Sequence, residues 1–358
     1  MSTLVLESTE IENQPINLSN ASTAETELES LGVTSLSQYV KMQNCDRFLR
    51  FRLAAHEDRA LRAKWSVEIQ PLTPLLRESG QVFEEAVEAQ LAQAGEQVIN
   101  LGENSENDIS QNDTTLDWLR KATKPVILLQ PAIGGQMGRY SYTGVADVVR
   151  LHRDKKKRLH VYIGDIKASR VERTEHRLQV AAYAYLLRGM ADAAGIEIES
   201  MRGGVLTLQD DGSIPELDPD NYFDLDTYIT ILHHVAIDDD CVVNQVAAKE
   251  FEEIDYHLGR HCDGCMYNGL CMHDSAERMD LSLVPYISAT EKRTLIEHGV
   301  TDLPQLAGLM DLEFGDKEAG TRTKLAPSPT GAEKVQELSN IWPVGANLSV
   351  LIQRAKRA

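Results

Sequence analysis

Apolar and polar positions along the chain fall into two alternating periods. From 35 to 65, SLSQYVKMQNCDRFLRFRLAAHEDRALRAKW, apolar residues recur at helical spacing and predict an amphipathic helical stretch that carries Cys45. RESGQVFEEAVEAQLAQAG (77–95) predicts a second helix, built from strong helix formers and ended by Gly95. ENSENDISQNDTTLD (103–117) has the composition of a surface loop. Three β-rich segments follow, PVILLQPAI (125–133), YTGVADVVRLH (142–152) and RLHVYIGDIKAS (158–169). A helix, EHRLQVAAYAYLLRG (175–189), and a further strand, GGVLTLQ (203–209), complete an α/β core with a helix-flanked sheet. Past a cysteine-rich segment, residues 287–310 show two short helical patterns broken at Gly299, the mark of a small helical hairpin. AGTRTKLAPSPTGAEK (319–334) reads as a linker, and the end, LSVLIQRAKRA, is basic.

The chain has 358 residues, 42% apolar, enough for a large core. No apolar run is long enough to span a membrane and the first residues do not read as a secretory signal, so a cytoplasmic protein is expected. The net charge of −19 argues against nucleic acid as a partner, but its distribution changes the picture. Residues 1–31 hold six glutamates and no Lys or Arg and read as a disordered acidic tail. Residues 139–188 hold twelve Lys/Arg against five Asp/Glu.

That basic region contains the chemistry. Asp147 and Asp165 stand at the ends of two apolar runs joined by the turn RDKKKR (153–158), and Lys167 follows Asp165 after one residue. Two carboxylates on adjacent strands can converge on one hard divalent cation, the ion that phosphodiester hydrolysis needs. Lys167 lies on the same strand face as Asp165, placed to act on water and on charge building at phosphorus. Ile166 between them faces the core and offers its carbonyl as a further ligand. Gln179 and Tyr183 are four apart and share one helix face, positioned toward substrate. Each residue alone also has a plain structural reading: a strand-edge charge, a solvated cross-strand pair, or packed helix residues.

The series Gly144-x-x-Asp147, Asp165-Ile166-Lys167 and Gln179-x-x-x-Tyr183 resembles the PD-(D/E)XK nuclease superfamily, more closely its RecB-like branch. The resemblance implies a restriction-endonuclease-like core, a mixed central sheet flanked by helices. It implies that Asp147 and Asp165 bind Mg²⁺ or Mn²⁺, Lys167 is catalytic, and Gln179 and Tyr183 support substrate binding. RecB-like nucleases often place a histidine ligand in a G-x-x-x-H setting; here Gly80-Gln-Val-Phe-Glu84 places Glu84 there, a candidate ligand suited to a harder ion.

Cys262-x-x-Cys265 is followed by Cys271, three thiols that want one more soft ligand, for which Cys45 is the candidate. An early cysteine plus a late trio resembles the iron–sulfur subset of RecB-like nucleases, which includes CRISPR-associated exonucleases and AddB-type nuclease domains. That likeness implies a structural [4Fe–4S] cluster closing the chain from 45 to 262. Zinc, with Cys45, His261 or His273 as fourth ligand, is the alternative. Cys241 stands apart and reads as an ordinary buried thiol.

These readings divide the chain into an acidic tail (1–31), a nuclease core with the cysteine cluster (32–278), a helical hairpin (279–318) and a linker with a basic end (319–358). The hairpin LIEHGVTDLPQLAGL looks like a degenerate helix-hairpin-helix, a module that grips DNA backbone through amides, and equally like a plain packing hairpin. The expected activity is hydrolysis of single-stranded DNA or DNA ends, as an exonuclease, with the basic turn tracking phosphates next to the site. No Walker A sequence is seen, so unwinding would come from a helicase partner or a CRISPR-adaptation or defence assembly. Two rivals remain open: a nuclease-like DNA-binding or scaffolding subunit, and a zinc-stabilised binding protein without hydrolytic chemistry.

Overall fold

A computed structural model of the chain describes residues 31–69, 74–93, 96–102, 110–210, 222–313 and 324–358. The expected acidic tail lies outside them except for Leu31, which is buried in the two-residue strand β1 (Leu31–Gly32). The helical stretch expected over 35–65 is three helices: α1 (Val33–Lys41), α2 (Asp46–Leu53) and α3 (Ala55–Trp65). α1 stops because Gln43 and Asn44 both take left-handed backbone (φ 56° and 58°), and Cys45 then caps α2. α4 (Pro74–Gln93) and β2 (Gln97–Asn100) follow.

The surface loop expected over 103–117 is corrected where the structure describes it, because residues 110–121 form α5 (Ser110–Lys121). Its polar composition conceals one buried stripe, in which Thr115 and Leu119 are fully covered and the Thr115 hydroxyl donates to the Ala132 carbonyl at 2.8 Å. Six elements then build the core: β3 (Val126–Leu129), β4 (Ala132–Met137), β5 (Tyr140–Val145), β6 (Val148–Arg153), β7 (Leu159–Lys167) and α6 (Thr174–Ala193). β8 (Ile198–Thr207) closes it, starting five residues before the expected 203. The strands expected over 125–133 and 142–152 are each divided. Gln130 (φ 52°) and Pro131 end the first, and Ala146–Asp147 interrupts the second. The reason is topological: β4 and β5 pair with each other and leave for a second sheet.

The main sheet has the order β2-β3-β6-β7-β8 and is mixed, parallel at both outer pairs and antiparallel within. The smaller sheet runs β1-β5-β4. Alternation along the strands sends two sets of side chains to opposite faces. Ile127, Leu129, Val148, Ile166 and Leu206 pack against Val87 and Leu91 of α4. Val126, Leu128, Val149, Leu151 and Ile163 join the larger core that includes α6. Much of α6 is buried because α1, α7 and β4 contact it in addition to the main sheet. Each fully covered leucine there, such as Leu178 or Leu187, stabilises by about 1.5–3 kcal/mol. The architecture is thus α/β with a helix-flanked mixed sheet, as expected.

The β6–β7 hairpin corrects one expectation about the site. Arg153 pairs with Leu159 at the closed end, whereas Val148 pairs with Gly164 at the open end. Asp147 and Asp165 therefore sit at the open end, and the basic turn lies six residues, ~20 Å, away. Its charges also have local work. Arg153 donates to the Leu119 and Ala122 carbonyls at the end of α5, and Arg158 pairs with Asp154 and Glu199.

Three helices, α7 (Leu225–Leu232), α8 (Val242–Ala247) and α9 (Asn268–Arg278), complete the core. After them α10 (Ala289–Glu297) and α11 (Leu303–Gly308) form the expected hairpin, with Gly299 at φ 77°. The turn amides of Gly299 and Val300 donate to the Ile296 and Leu295 carbonyls, and that of Thr301 to Gln305 Oε1. The donors of a DNA-gripping turn are already bonded within the hairpin. Residues 319–323 of the expected linker lie outside the described residues. The rest is corrected to ordered structure: β9 (Met310–Glu313) pairs with β10 (Lys324–Pro327), and α12 (Ala332–Leu338) and α13 (Val344–Ala355) bury Leu338, Leu348, Leu351 and Ile352 in one apolar cluster with α10 and α11.

Lys292 of α10 ties this cluster to the preceding segment. It is 3% exposed, and its ammonium donates to the Tyr256 carbonyl (2.8 Å), Asp280 Oδ1 (2.8 Å) and Ser282 Oγ (3.0 Å). Burial pulls the Asp280 carboxyl up, but the Lys292 charge and the Lys292 and Ser282 hydrogen bonds outweigh it and leave it below its ordinary value. Lys292→Met strands a buried carboxylate and should destabilise by about 3–5 kcal/mol in urea unfolding. Because the folded-state pKa of Asp280 is depressed, its contribution is complete above the ordinary carboxylate value and lost as pH falls through the folded value. The stability gap between the native chain and Asp280→Asn should therefore be full at pH 7 and close below about pH 4.

Candidate active site and the four-cysteine cavity

The open end of the β6–β7 hairpin gathers the acidic and basic groups from three directions. Asp147 precedes β6, and its Oδ2 accepts from the Ile166 amide at 2.6 Å, so its side chain continues the ladder across to β7. The backbone of Asp147 is held as well, since its carbonyl accepts from the Gln130 amide at 3.0 Å. Asp165, near the end of β7, is 1% exposed. Its Oδ1 accepts from Lys167 Nζ (2.6 Å) and from Gln179 Nε2 of α6 (3.0 Å). Its Oδ2 is buried with no hydrogen-bond partner. Lys167 Nζ also lies 3.8 Å from Asp147 Oδ2 and donates to the Ile166 carbonyl at 3.2 Å. One ammonium thus bridges both carboxylates.

Burial sets the electrostatics here. It pushes the Asp165 carboxyl well up, with the Asp147 charge adding to the shift and Lys167 opposing it. For Lys167 burial acts downward, but Asp165 and Asp147 outweigh it and hold the ammonium charged. Glu84 of α4 is raised by burial and then by Asp147 and Glu88. A solvated cross-strand pair would show none of this, so the plain surface reading of Asp165 and Lys167 is set aside.

Gln179 and Tyr183 share one face of α6, as their spacing implies. Gln179 carries the site outward to α1, since its Oε1 accepts from Ser37 Oγ at 3.0 Å while its amide holds Asp165. The Tyr183 hydroxyl donates to the Val145 carbonyl at 2.8 Å, two residues before Asp147. Ile166 points its side chain away, into the α4 face of the sheet, which leaves its carbonyl at the site. Glu84 is half-buried and reaches the same group of charges from α4, with Gln130 Nε2 at 3.5 Å from its Oε1 and 3.4 Å from Glu88 Oε1. Sequence reading missed Ser37, Glu88 and Gln130. Glu88 follows Glu84 by one helical turn and was open to the same argument, whereas Ser37 and Gln130 arrive through tertiary contact alone.

The donor chemistry suits a divalent cation: two aspartates, a main-chain carbonyl, and a buried carboxylate oxygen with no proton donor of its own. Among the described residues no three His, Cys, Asp or Glu side chains stand as a group that could hold a metal ion. The described donors of this site are the Asp147–Asp165 pair, with Glu84 beside it.

Four of the cysteines line a second place, although they too are not drawn together there as a group that could hold a metal ion. Cys45 caps α2, Cys262 lies in the turn Arg260–Gly264, Cys265 follows that turn and Cys271 is in α9. All four line one small cavity, walled also by Phe48 and Tyr267. None is in a disulfide. Burial raises every one of these thiols, Cys265 to about 11 and Cys271 to about 12, and the neighbouring thiols add to the shift at Cys45, Cys265 and Cys271. His261 lines the cavity, whereas His273 stacks its ring on Trp65. Cys241 is buried in the main core, apart from the four.

Gly144 shows why the sequence spacing around Asp147 matters. A Cβ at this position would stand 2.8 Å from the Tyr183 hydroxyl and 2.9 Å from its ring. Gly144→Ala must displace Tyr183 and its bond to Val145, costing about 1–3 kcal/mol in chemical unfolding. Tyr183→Phe, which keeps the ring and loses only the hydroxyl, should cost about 1 kcal/mol.

Among solved structures, one titled "Crystal structure of SSO0001" is similar at 15% identity and TM-score 0.31, over 68% of this chain and 85% of that one. Another, of the Legionella pneumophila effector RavZ in complex with human LC3B, is similar at 10% identity and TM-score 0.17, over 68% and 57%. A search of curated proteins gives no match. The family pattern that does match runs from residue 34 to residue 272, taking in α1, the open end of the hairpin, α6 and all four cavity cysteines, and by it the chain belongs to the PD-(D/E)XK nuclease superfamily.

Proposed function

We propose that the chain is a metal-dependent deoxyribonuclease of the RecB-like branch, acting on single-stranded DNA or DNA ends as an exonuclease. Superfamily membership supports phosphodiester hydrolysis. The observation that carries the finer reading is the buried Asp165, whose Oδ2 has no partner while one lysine spans it and Asp147. Asp147, Asp165 and the Ile166 carbonyl would hold Mg²⁺ or Mn²⁺, with Glu84 as a further oxygen donor. A cation held by these oxygens would supply the Lewis-acid chemistry that phosphodiester hydrolysis needs. Lys167, held charged between two carboxylates, orients the attacking water and stabilises negative charge building at phosphorus. Gln179 fixes the Asp165 carboxylate, and Tyr183 fixes the β5 end that leads into Asp147. Both act as positioning residues.

The four-cysteine cavity is assigned to a [4Fe–4S] cluster with a structural role. Four thiols from both ends of the nuclease core face one apolar-walled cavity, and the spacing of the chain resembles that of the iron–sulfur RecB-like nucleases. Zinc on the same four sulfurs is the alternative. The nuclease core is placed at 32–278, followed by the helical hairpin at 279–318. Among the described residues no helix is long and apolar enough to cross a membrane. DNA is the substrate, and a helicase or a CRISPR-adaptation or defence assembly is the class of partner that would supply unwinding.

End-labelled single- and double-stranded DNA should be cut with Mg²⁺ or Mn²⁺ and not with EDTA. Asp165→Ala and Lys167→Ala should each lower the rate by about 10²–10³-fold or more. A folded native chain that cuts neither substrate, or a Lys167→Ala variant with full activity, would favour the scaffolding reading instead. Anaerobic purification should yield a brown protein with iron and sulfide in equal amounts, and Cys271→Ser should lose both. A colourless protein holding one zinc would replace the cluster by the zinc alternative.

A further inference from the structure

Among the described residues Arg47 is a charged side chain as completely buried as Asp165, 1% exposed, and no step assigned above uses it. It lies in the first turn of α2, two residues after Cys45. Its Nη1 donates to Asp274 Oδ2 at 2.5 Å, and Asp274 lies on α9, three residues after Cys271. The pair therefore joins the two helices that carry the first and last cavity cysteines. The guanidinium sits 3.5 Å from the ring centroid of Tyr256 and 4.7 Å from that of Phe251, and Tyr256 also lines the cavity.

Two features of this arrangement do not balance by themselves. The Arg47 Nε and Nη2 groups are buried with no hydrogen-bond acceptor. Such orphaned donors on a charged group are costly, so an acceptor is expected. The charge is also incomplete, because Asp274 accepts from Arg278 Nε at 2.9 Å as well as from Arg47. Arg47 thus shares its one buried carboxylate with the partly exposed Arg278, which leaves the Arg47 charge only partly compensated. A four-iron cluster with four thiolate ligands in the neighbouring four-cysteine cavity can supply the anion, because it carries two negative charges when oxidised and three when reduced by one electron. Its sulfurs also accept N–H hydrogen bonds, a known lever on cluster potential.

We propose that Arg47 is the buried counter-cation of the cluster, its free Nε and Nη2 groups donating to cluster or cysteine sulfur and favouring the reduced form. The inference rests on the assignment of the four cysteines to an iron–sulfur cluster. Asp274 then moderates the effect, setting how much of the Arg47 charge the cluster feels. A purely structural staple between α2 and α9 predicts something different: loss of either partner would loosen the same joint, with no reason for opposite electronic effects.

The test is a dithionite titration, followed by electron paramagnetic resonance, of the full chain and its Arg47→Gln and Asp274→Asn variants. Iron and sulfide are measured first, and far-ultraviolet circular dichroism checks the fold. Arg47→Gln should disfavour the reduced cluster at least tenfold, about 59 mV downward for a one-electron couple. Asp274→Asn should shift the potential upward, and Arg47→Lys should stay nearer the native value than Arg47→Gln. Should Arg47→Gln not load, the sign of the Asp274→Asn shift decides. A native chain without iron fails the cluster assignment itself. A loaded native chain whose potential moves in neither variant, or in the same direction in both, overturns the role of Arg47 alone.

Discussion

The contact on which the site depends is the ammonium of Lys167 held between Asp165 and Asp147. A carboxylate with 1% exposure is expensive to keep ionised, and the neighbouring Asp147 makes it more so. Lys167 offsets that cost without removing it, because Asp165 Oδ2 still has no partner. The surrounding elements can be understood as what it takes to hold this arrangement. β7 supplies Asp165 and Lys167 at alternate positions, α6 brings the Gln179 amide, and the side chain of Asp147 closes the ladder through the Ile166 amide. Each group is fixed by a second contact of its own, the preorganisation that the proposed hydrolysis would require.

The same elements connect the site to the cysteine cavity. α1 carries Ser37 to Gln179, and the left-handed turn at Gln43 and Asn44 then aims Cys45 into the cavity four-thiol wall. From the other end of the core, α9 returns Cys271 to the same place, and Arg47 and Asp274 bridge the two helices. A cofactor binding here would restrict the segment that positions Gln179, and so support the site without taking part in its chemistry.

Much of the site was legible because its residues obey short-range rules. Asp165 and Lys167 are two apart on a strand, and Gln179 and Tyr183 are four apart on a helix, so periodicity alone places each pair on one face. The cysteines were legible by residue type. What escaped depends on long-range packing. α5 is nearly all polar in sequence and is a helix because Thr115 and Leu119 happen to meet the sheet. The β4–β5 hairpin was hidden by Gln130–Pro131 and Ala146–Asp147, which look like strand interior but are the points where the chain changes sheets. The basic turn was misplaced for a related reason: nearness in sequence to Asp147 and Asp165 becomes ~20 Å once the intervening residues are extended. Nothing in the sequence sets Arg47 apart from its neighbours Arg50 and Arg52, and only tertiary structure shows it buried.

Cation binding tests the central claim most directly, because it probes the carboxylate pair without needing the right DNA substrate or partner. Calorimetric titration of Mn²⁺ into the native chain and into Asp165→Asn, which keeps the side chain's shape and removes its charge, should give binding that weakens at least tenfold in the variant. Equal Mn²⁺ affinity in the two proteins, both folded, would contradict the account and leave the buried Asp165–Lys167–Asp147 group as a structural ion pair.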